Sequence, residues 1–193
     1  MSSNQEAQTQ HSQYQDVVDL LLEQHQQVRR LFSELERVNG DARRDQFEQL
    51  VRLLAVHETA EEEVVYPAVR KMVDDGDMLA DARTAEEAEA KKALSELEEL
   101  GVDHPDFESQ LRSLRQIVLI HAENEEKEVF PELRQSHSRE QLETMARGVH
   151  AAESFAPTHP HPRGPESAIG NIVVGPFVAV ADRVRDAIRN AGR

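Results

Sequence analysis

HETAEEEVVYP (57–67) and HAENEEKEVFP (121–131) are one pattern written twice, 121 − 57 = 64 residues apart. Each holds a His, a Glu four residues on, an aromatic five beyond that, and then Pro: His57, Glu61, Tyr66, Pro67 and His121, Glu125, Phe130, Pro131. His at i with Glu at i+4 lies on one face of a helix, so each stretch reads as a helix presenting imidazole and carboxylate together. Four residue types repeated at identical offsets form the strongest motif in the chain. Pro67 and Pro131 fall inside helical patterns and should kink or end their helices there.

Outward from the motif, apolar residues recur three and four apart in four long segments, the mark of amphipathic helices packed as a bundle. The first runs from about Asp16 to Val38 and stops at Asn39-Gly40; the second runs from Asp41 or Arg44 to Val73. The third spans about Met78 to Leu100, and the fourth follows His104-Pro105 through Phe107, Leu111, Leu114, Val118 and Val129. Connections this short make neighbours antiparallel. The expected fold is all-α: an up-down-up-down four-helix bundle over 16–150, after a disordered segment at 1–15. Residues 151–193 read as a Pro-rich connector with a short fifth helix from about Phe177 to Ala191, docked on the bundle or joining a homo-oligomer.

The balance of 22 Lys+Arg against 37 Asp+Glu, a net charge of −15, argues against nucleic acid or anionic membrane as partner. There is no cysteine, which removes disulfides, thiol catalysis, iron–sulfur clusters and zinc ribbons. No apolar leader opens the chain and no run is long enough to span a bilayer, so a cytoplasmic location is expected. The apolar share is only 38%, against the roughly 45–50% usual for globular chains.

Part of that shortage has an address. Continued past its apolar members, the first stripe places His25 in line with the core; the second places His57 and Glu61 there, and the fourth His121 and Glu125. The third places Glu87, with Glu86 beside it. His25 lies 13 residues before Val38 and His57 lies 13 after Arg44, so the two fall level in an antiparallel pair. Buried, unpaired carboxylates cost several kcal/mol even after relaxation. Lys and Arg are nearly absent from this layer, with Arg83 the nearest candidate partner of Glu87. Three inward carboxylates and three imidazoles therefore call for cations, and six donors exceed the need of one tetrahedral ion. Nitrogen and oxygen donors without sulfur suit iron or manganese, and the layer reads as a dinuclear site.

On His25, on His57-Glu58-x2-Glu61-Glu62 with Tyr66-Pro67, and on His121-x3-Glu125-Glu126 with Phe130-Pro131, the chain resembles the hemerythrin-like, or HHE, cation-binding domains over about residues 17–135. The tail, with His159-Pro160-His161-Pro162 and Asp182-Arg183-Val184-Arg185-Asp186, looks like that of the family's actinobacterial branch. The resemblance implies two non-haem irons, oxo- or hydroxo- and carboxylate-bridged, with His25, His57 and His121 as terminal ligands and Glu61 and Glu125 as bridges. Glu58 matches a position that coordinates in some relatives. The family's oxygen carriers place two histidines four apart in the third helix, where this chain has Ala85-Glu86-Glu87-Ala88-Glu89-Ala90-Lys91. Glu87, or Glu86, would replace an imidazole, and the added negative charge favours the ferric state over reversible oxygen carriage. The expectation is a centre that binds or reacts with O2, peroxide or nitric oxide, with peroxide disproportionation as its candidate turnover. The alternative is an iron, oxygen or redox sensor without turnover.

Other features read as structural. His57-Glu58-Thr59-Ala60-Glu61 lacks the second histidine of a zinc-protease helix. His11, His104, His137 and His150 are isolated and expected at the surface. His159 and His161 shape a connector, and Tyr66 reads as a packing residue.

Overall fold

Asp16 begins the first helix of a computed structural model that describes residues 16–155. Its backbone is extended and its carboxylate accepts from the N–H of Asp19 at 2.9 Å, satisfying a donor that a helix start leaves free. Helix α1 (Val17–Leu35) follows. The second rod is α2 (Asp41–Ala60), a wider turn over Glu61–Val65, and α3 (Tyr66–Met72). The third is α4 (Gly76–Leu100). The fourth is α5 (Phe107–Asn124), a second wide turn over Glu125–Val129, and α6 (Phe130–Ser136). Helix α7 (Arg139–Phe155) is a fifth rod, and no strand occurs among the described residues.

The order of buried residues along each rod gives the topology. On α1, Val17 to Leu21 belong to one apolar cluster, Gln24 and His25 to a polar layer, and Val28 to Leu35 to a second cluster. The second rod runs through the same three zones in reverse: Phe47 to Leu54, then His57 to Glu61, then Val65 to Val69. The third rod reverses again, from Ala80 through Arg83 and Glu87 to Ala90–Leu97, and the fourth once more, from Phe107–Val118 through His121 and Glu125 to Val129–Leu133. Four rods that alternate in this way are an up-down-up-down bundle with a polar layer between two apolar ones. No helix of the described residues is long and apolar enough to cross a membrane.

Two expectations are refined. Regular α-helix is interrupted just before each proline, over Glu61–Val65 and Glu125–Val129, and then resumes. An α-helix bonds each N–H to the carbonyl four residues back, and proline has no N–H to give. Here the N–H of Tyr66 reaches back five residues to the carbonyl of Glu61, and that of Phe130 to Glu125, so the backbone widens into one π turn before each proline. The α segments resume with Pro67 and Pro131 in their first turns, where the missing donor costs nothing. The five-residue step also brings Tyr66 onto the face of Glu61, and Phe130 onto that of Glu125.

Residues 139–155, beyond the four expected helices, form α7 at the end of the bundle that holds the first apolar cluster. Leu142, Ala146 and Val149 join the first apolar cluster and α7 packs chiefly on α1. The expected helix at 177–191, the connector and the segment 1–15 lie outside the described residues.

The turn into α4 fixes the height of the third rod. Asp75 takes a left-handed φ of 58°, and Gly76 follows where a Cβ would fall on the carbonyl oxygen of Val69. Since the obstacle is backbone, the rods must part to admit a methyl group. Gly76→Ala should lower stability by about 1–3 kcal/mol, the usual cost of overpacking, measurable as a reduced urea midpoint at unchanged slope.

Candidate metal centre

The three imidazoles are held alike. His25 donates its Nδ1–H to Glu126 Oε1 at 2.9 Å, His57 donates to Gln24 Oε1 at 2.7 Å, and His121 donates to Glu86 Oε2 at 3.1 Å. Acceptors on the outer nitrogen fix each tautomer and leave each Nε2 facing inward, as outer-shell partners of metal-bound histidines do. The acceptors are themselves anchored. Arg29 donates to Glu126 at 2.8 Å, while Arg83 and Asn124 donate to Glu86 at 2.8 and 2.9 Å. Phe130 stacks on the His25 ring with centroids 5.5 Å apart.

Inside this ring stand Glu61, Glu87 and Glu125, each 0% exposed. Donor atoms of His25, His57, Glu61 and Glu125 lie within 4.8 Å of one another, and so do those of Glu61, Glu87 and His121. Glu61 belongs to both groups. Glu125 Oε2 lies 3.3 Å from His25 Nε2 and 3.4 Å from His121 Nε2, so it too spans them. Both oxygens of Glu61, Oε2 of Glu125 and Nε2 of His121 are buried without a hydrogen-bond partner. A folded protein rarely keeps such atoms orphaned. Lone pairs of nitrogen and oxygen converging on two points are what a pair of cations requires, and this donor set fits them.

The electrostatics show the same crowding. Burial, reinforced by the charges of Glu125 and Glu87, pushes Glu61 far above the carboxylate range. Burial raises Glu87 to about 9 against the opposing pull of the Tyr66 hydroxyl and Lys91. Burial would raise Glu125 as well, but the surrounding imidazoles overcome it and lower it to about 2. Burial and the neighbouring His25 lower His57 to about 3. Burial acts to lower His25 also, yet Glu125 and Glu126 raise it above its ordinary value. The Nε2 atoms of His25 and His57 are 3.0 Å apart, so the raised His25 donates a proton to its neutral neighbour. Without cations, protons on His25, Glu61 and Glu87 offset the charge of the layer.

All six residues expected from the sequence meet in this layer, and between the two acids of the third helix the buried one is Glu87. Glu86 lies outside, on His121. Glu58 is buried at the edge, with Oε2 unbonded and burial raising its pKa to about 8. Arg83, expected beside Glu87, pairs instead with Glu86 and Glu128; the cation next to Glu87 is Lys91, at 3.4 Å. Tyr66 does more than pack: its hydroxyl lies 2.6 Å from Glu87 Oε1 and 2.8 Å from Glu125 Oε1, linking one donor from each group. Its signal was the five-residue offset from Glu61, which becomes one face only in a π turn. The sequence offers Glu86 only as an alternative ligand to Glu87 and gives Gln24 and Glu126 no role of their own, because each follows or precedes a core position by one residue and looks like a surface acid or amide. Of the isolated histidines, His104 is exposed, whereas His137 and His150 are half-buried.

Comparison with known proteins places these features. The model of the hemerythrin HHE cation-binding domain matches residues 16–133. An uncharacterised hemerythrin-like protein of Schizosaccharomyces pombe is 31% identical over 139 residues, covering 72% of this chain and 68% of that one. A protein of Nostoc sp. named a DNA nickase is 34% identical over 149 residues, 76% of this chain; the match spans only 42% of the nickase's length. In three dimensions, the crystal structure of a hemerythrin HHE cation-binding domain protein from Mycobacterium kansasii superposes with a TM-score of 0.64 at 18% identity, covering 91% of this chain and 98% of that one. That likeness bears on the fold alone. The chain belongs to the hemerythrin HHE cation-binding family.

Proposed function

We propose that this chain is a non-haem di-iron protein that binds or reacts with O2, peroxide or nitric oxide. The observation that carries the reading is Glu61: wholly buried, bonded at neither oxygen, and common to both groups of converging donors. His25, His57, Glu61 and Glu125 would hold one iron and Glu61, Glu87 and His121 the other, with Glu61 and Glu125 bridging. Bound there, a pair of irons supplies adjacent redox ions able to hold a small oxidant and exchange two electrons with it. The chain's own part is positional. Outer acceptors aim three Nε2 atoms inward, apolar layers above and below exclude bulk water, and Tyr66 keeps a hydroxyl proton between Glu87 and Glu125. That proton is firmly held, because burial and the charges of Glu61, Glu125 and Glu87 raise the phenol well above its ordinary pKa. The nickase name of one relative is not carried over: a net charge of −15 repels a phosphate backbone, and most of that relative's length has no counterpart in this chain.

Metal analysis of purified protein should find two irons per chain with ligand-to-metal absorption in the near ultraviolet, both lost in Glu61→Ala. Much less than two per chain in the wild type refutes the reading. Peroxide added to loaded protein should evolve oxygen, with at least a tenfold loss in His121→Ala, since even the partners that only support a metal's ligands are worth about 10–100-fold. Full iron content without oxygen evolution would make the centre a binding or sensing one.

The pKa directions set a second test. Glu58 and Glu87 of metal-free protein bind protons up to about 8 and about 9, whereas the unfolded chain releases them near 4.5. The native state thus holds more protons between those limits, so stability falls as pH rises through them. Thermal melts in chelator should drop by several degrees from pH 6.5 to 9. Iron-loaded protein, its carboxylates already ionised against cations, should show little of that slope.

A further inference from the structure

The polar layer meets solvent along the seams between rods, and the seams differ. Between the first and fourth rods, Arg29 and Glu126 stand outside the His25 ring. Between the third and fourth, Arg83 and Glu86 stand outside the His121 ring. An imidazole closes each of these seams. Between the second and third rods no ring intervenes. There the Lys91 ammonium lies 2.5 Å from Glu62 Oε1, 3.4 Å from Glu87 Oε2 and 3.7 Å from Glu58 Oε2. Glu62 and Lys91 are 38% and 33% exposed, Glu58 is 5% and Glu87 is 0%, so carboxylates step continuously from solvent to the centre.

Resting on the di-iron reading, we propose that this seam is the route by which hydrated ferrous ion reaches the centre, and that Lys91 is its gate. Three carboxylate oxygens surround the ammonium as they would a hard cation. One of them, Glu58 Oε2, is buried with no hydrogen-bond partner, so it has a free lone pair for an arriving ion. Three carboxyl groups stand around the one ammonium. When the lysine stem swings outward, the ion meets Glu62 first, then Glu58, and passes to Glu87, shedding water for carboxylate oxygen at each step. Glu58 thus acts in transfer, one position removed from the final donors. Lys91 is long and one-third exposed, so its ammonium can swing out into solvent.

The test follows iron uptake rather than activity. Full-length protein stripped with chelator is mixed anaerobically with ferrous ion, quenched at timed intervals with a coloured ferrous chelator, and its final iron content measured. Lys91→Met should take up iron about tenfold faster, the low end of what removing a repelling charge from a focused cleft achieves. Glu62→Gln should slow uptake, since the ammonium then rests on Glu58 and Glu87 and the mouth loses its first negative charge. Lys92→Met, a neighbouring and exposed lysine off the seam, should match the wild type, and all should end at two irons per chain. Opposite changes in the first two variants are not what a purely structural pair produces. A wild-type rate in Lys91→Met, or equal acceleration in Lys92→Met, overturns the gate while leaving the centre intact. A wild-type end point well below two irons overturns the di-iron reading and the gate with it. If Lys91→Met does not fold, as judged by circular dichroism, Glu62→Gln decides: an unchanged rate overturns the route.

Discussion

Three fully buried carboxylates, Glu61, Glu87 and Glu125, set the terms for the rest of this molecule. Ionised and unpaired they would cost more than the net stability of an ordinary domain. The fold answers on two levels. Imidazoles interleave with them and hold Glu125 ionised, while protons on Glu61 and Glu87 remove charge where imidazoles do not suffice. Cations in place of those protons would leave every carboxylate ionised and satisfied. Two divalent ions would also bring the net charge from −15 to −11. The two apolar clusters frame this layer and keep it dry; the low hydrophobic content of the chain reflects a core whose middle is polar.

The widened turns explain how two prolines can stand within a turn and a half of the buried carboxylates Glu61 and Glu125. Each π turn releases the backbone from a hydrogen bond that proline could not make, and each turns the following aromatic inward. The repeat thereby produces two different neighbours for one centre. Tyr66 brings a hydroxyl between Glu87 and Glu125, and Phe130 brings a ring against His25. The bundle is twofold in its backbone pattern and asymmetric in its chemistry.

Helical period is a local property, so the four rods and the inward positions His25, His57, Glu61, Glu87, His121 and Glu125 could be read by counting in threes and fours. The features that escaped depend on direction or on neighbours. Arg83 and Lys91 are each four residues from Glu87, but side chains on a helix lean toward its N-terminus. Lys91 therefore lies back over Glu87, whereas Arg83 is engaged by Glu86 and by Glu128 of the fourth rod. Tyr66 counts as off the stripe in an α-helix and falls on it only after the π turn. The Leu142, Ala146 and Val149 stripe of α7 is short and carries none of the polar residues that made the other helices stand out.

The account turns on two cations sharing Glu61. Crystals of iron-loaded protein, measured on both sides of the iron absorption edge, give the direct answer. Two anomalous peaks roughly 3.5–4 Å apart are predicted, one among His25, His57, Glu61 and Glu125 and the other among Glu61, Glu87 and His121. A single peak, or peaks only at the protein surface, would contradict it.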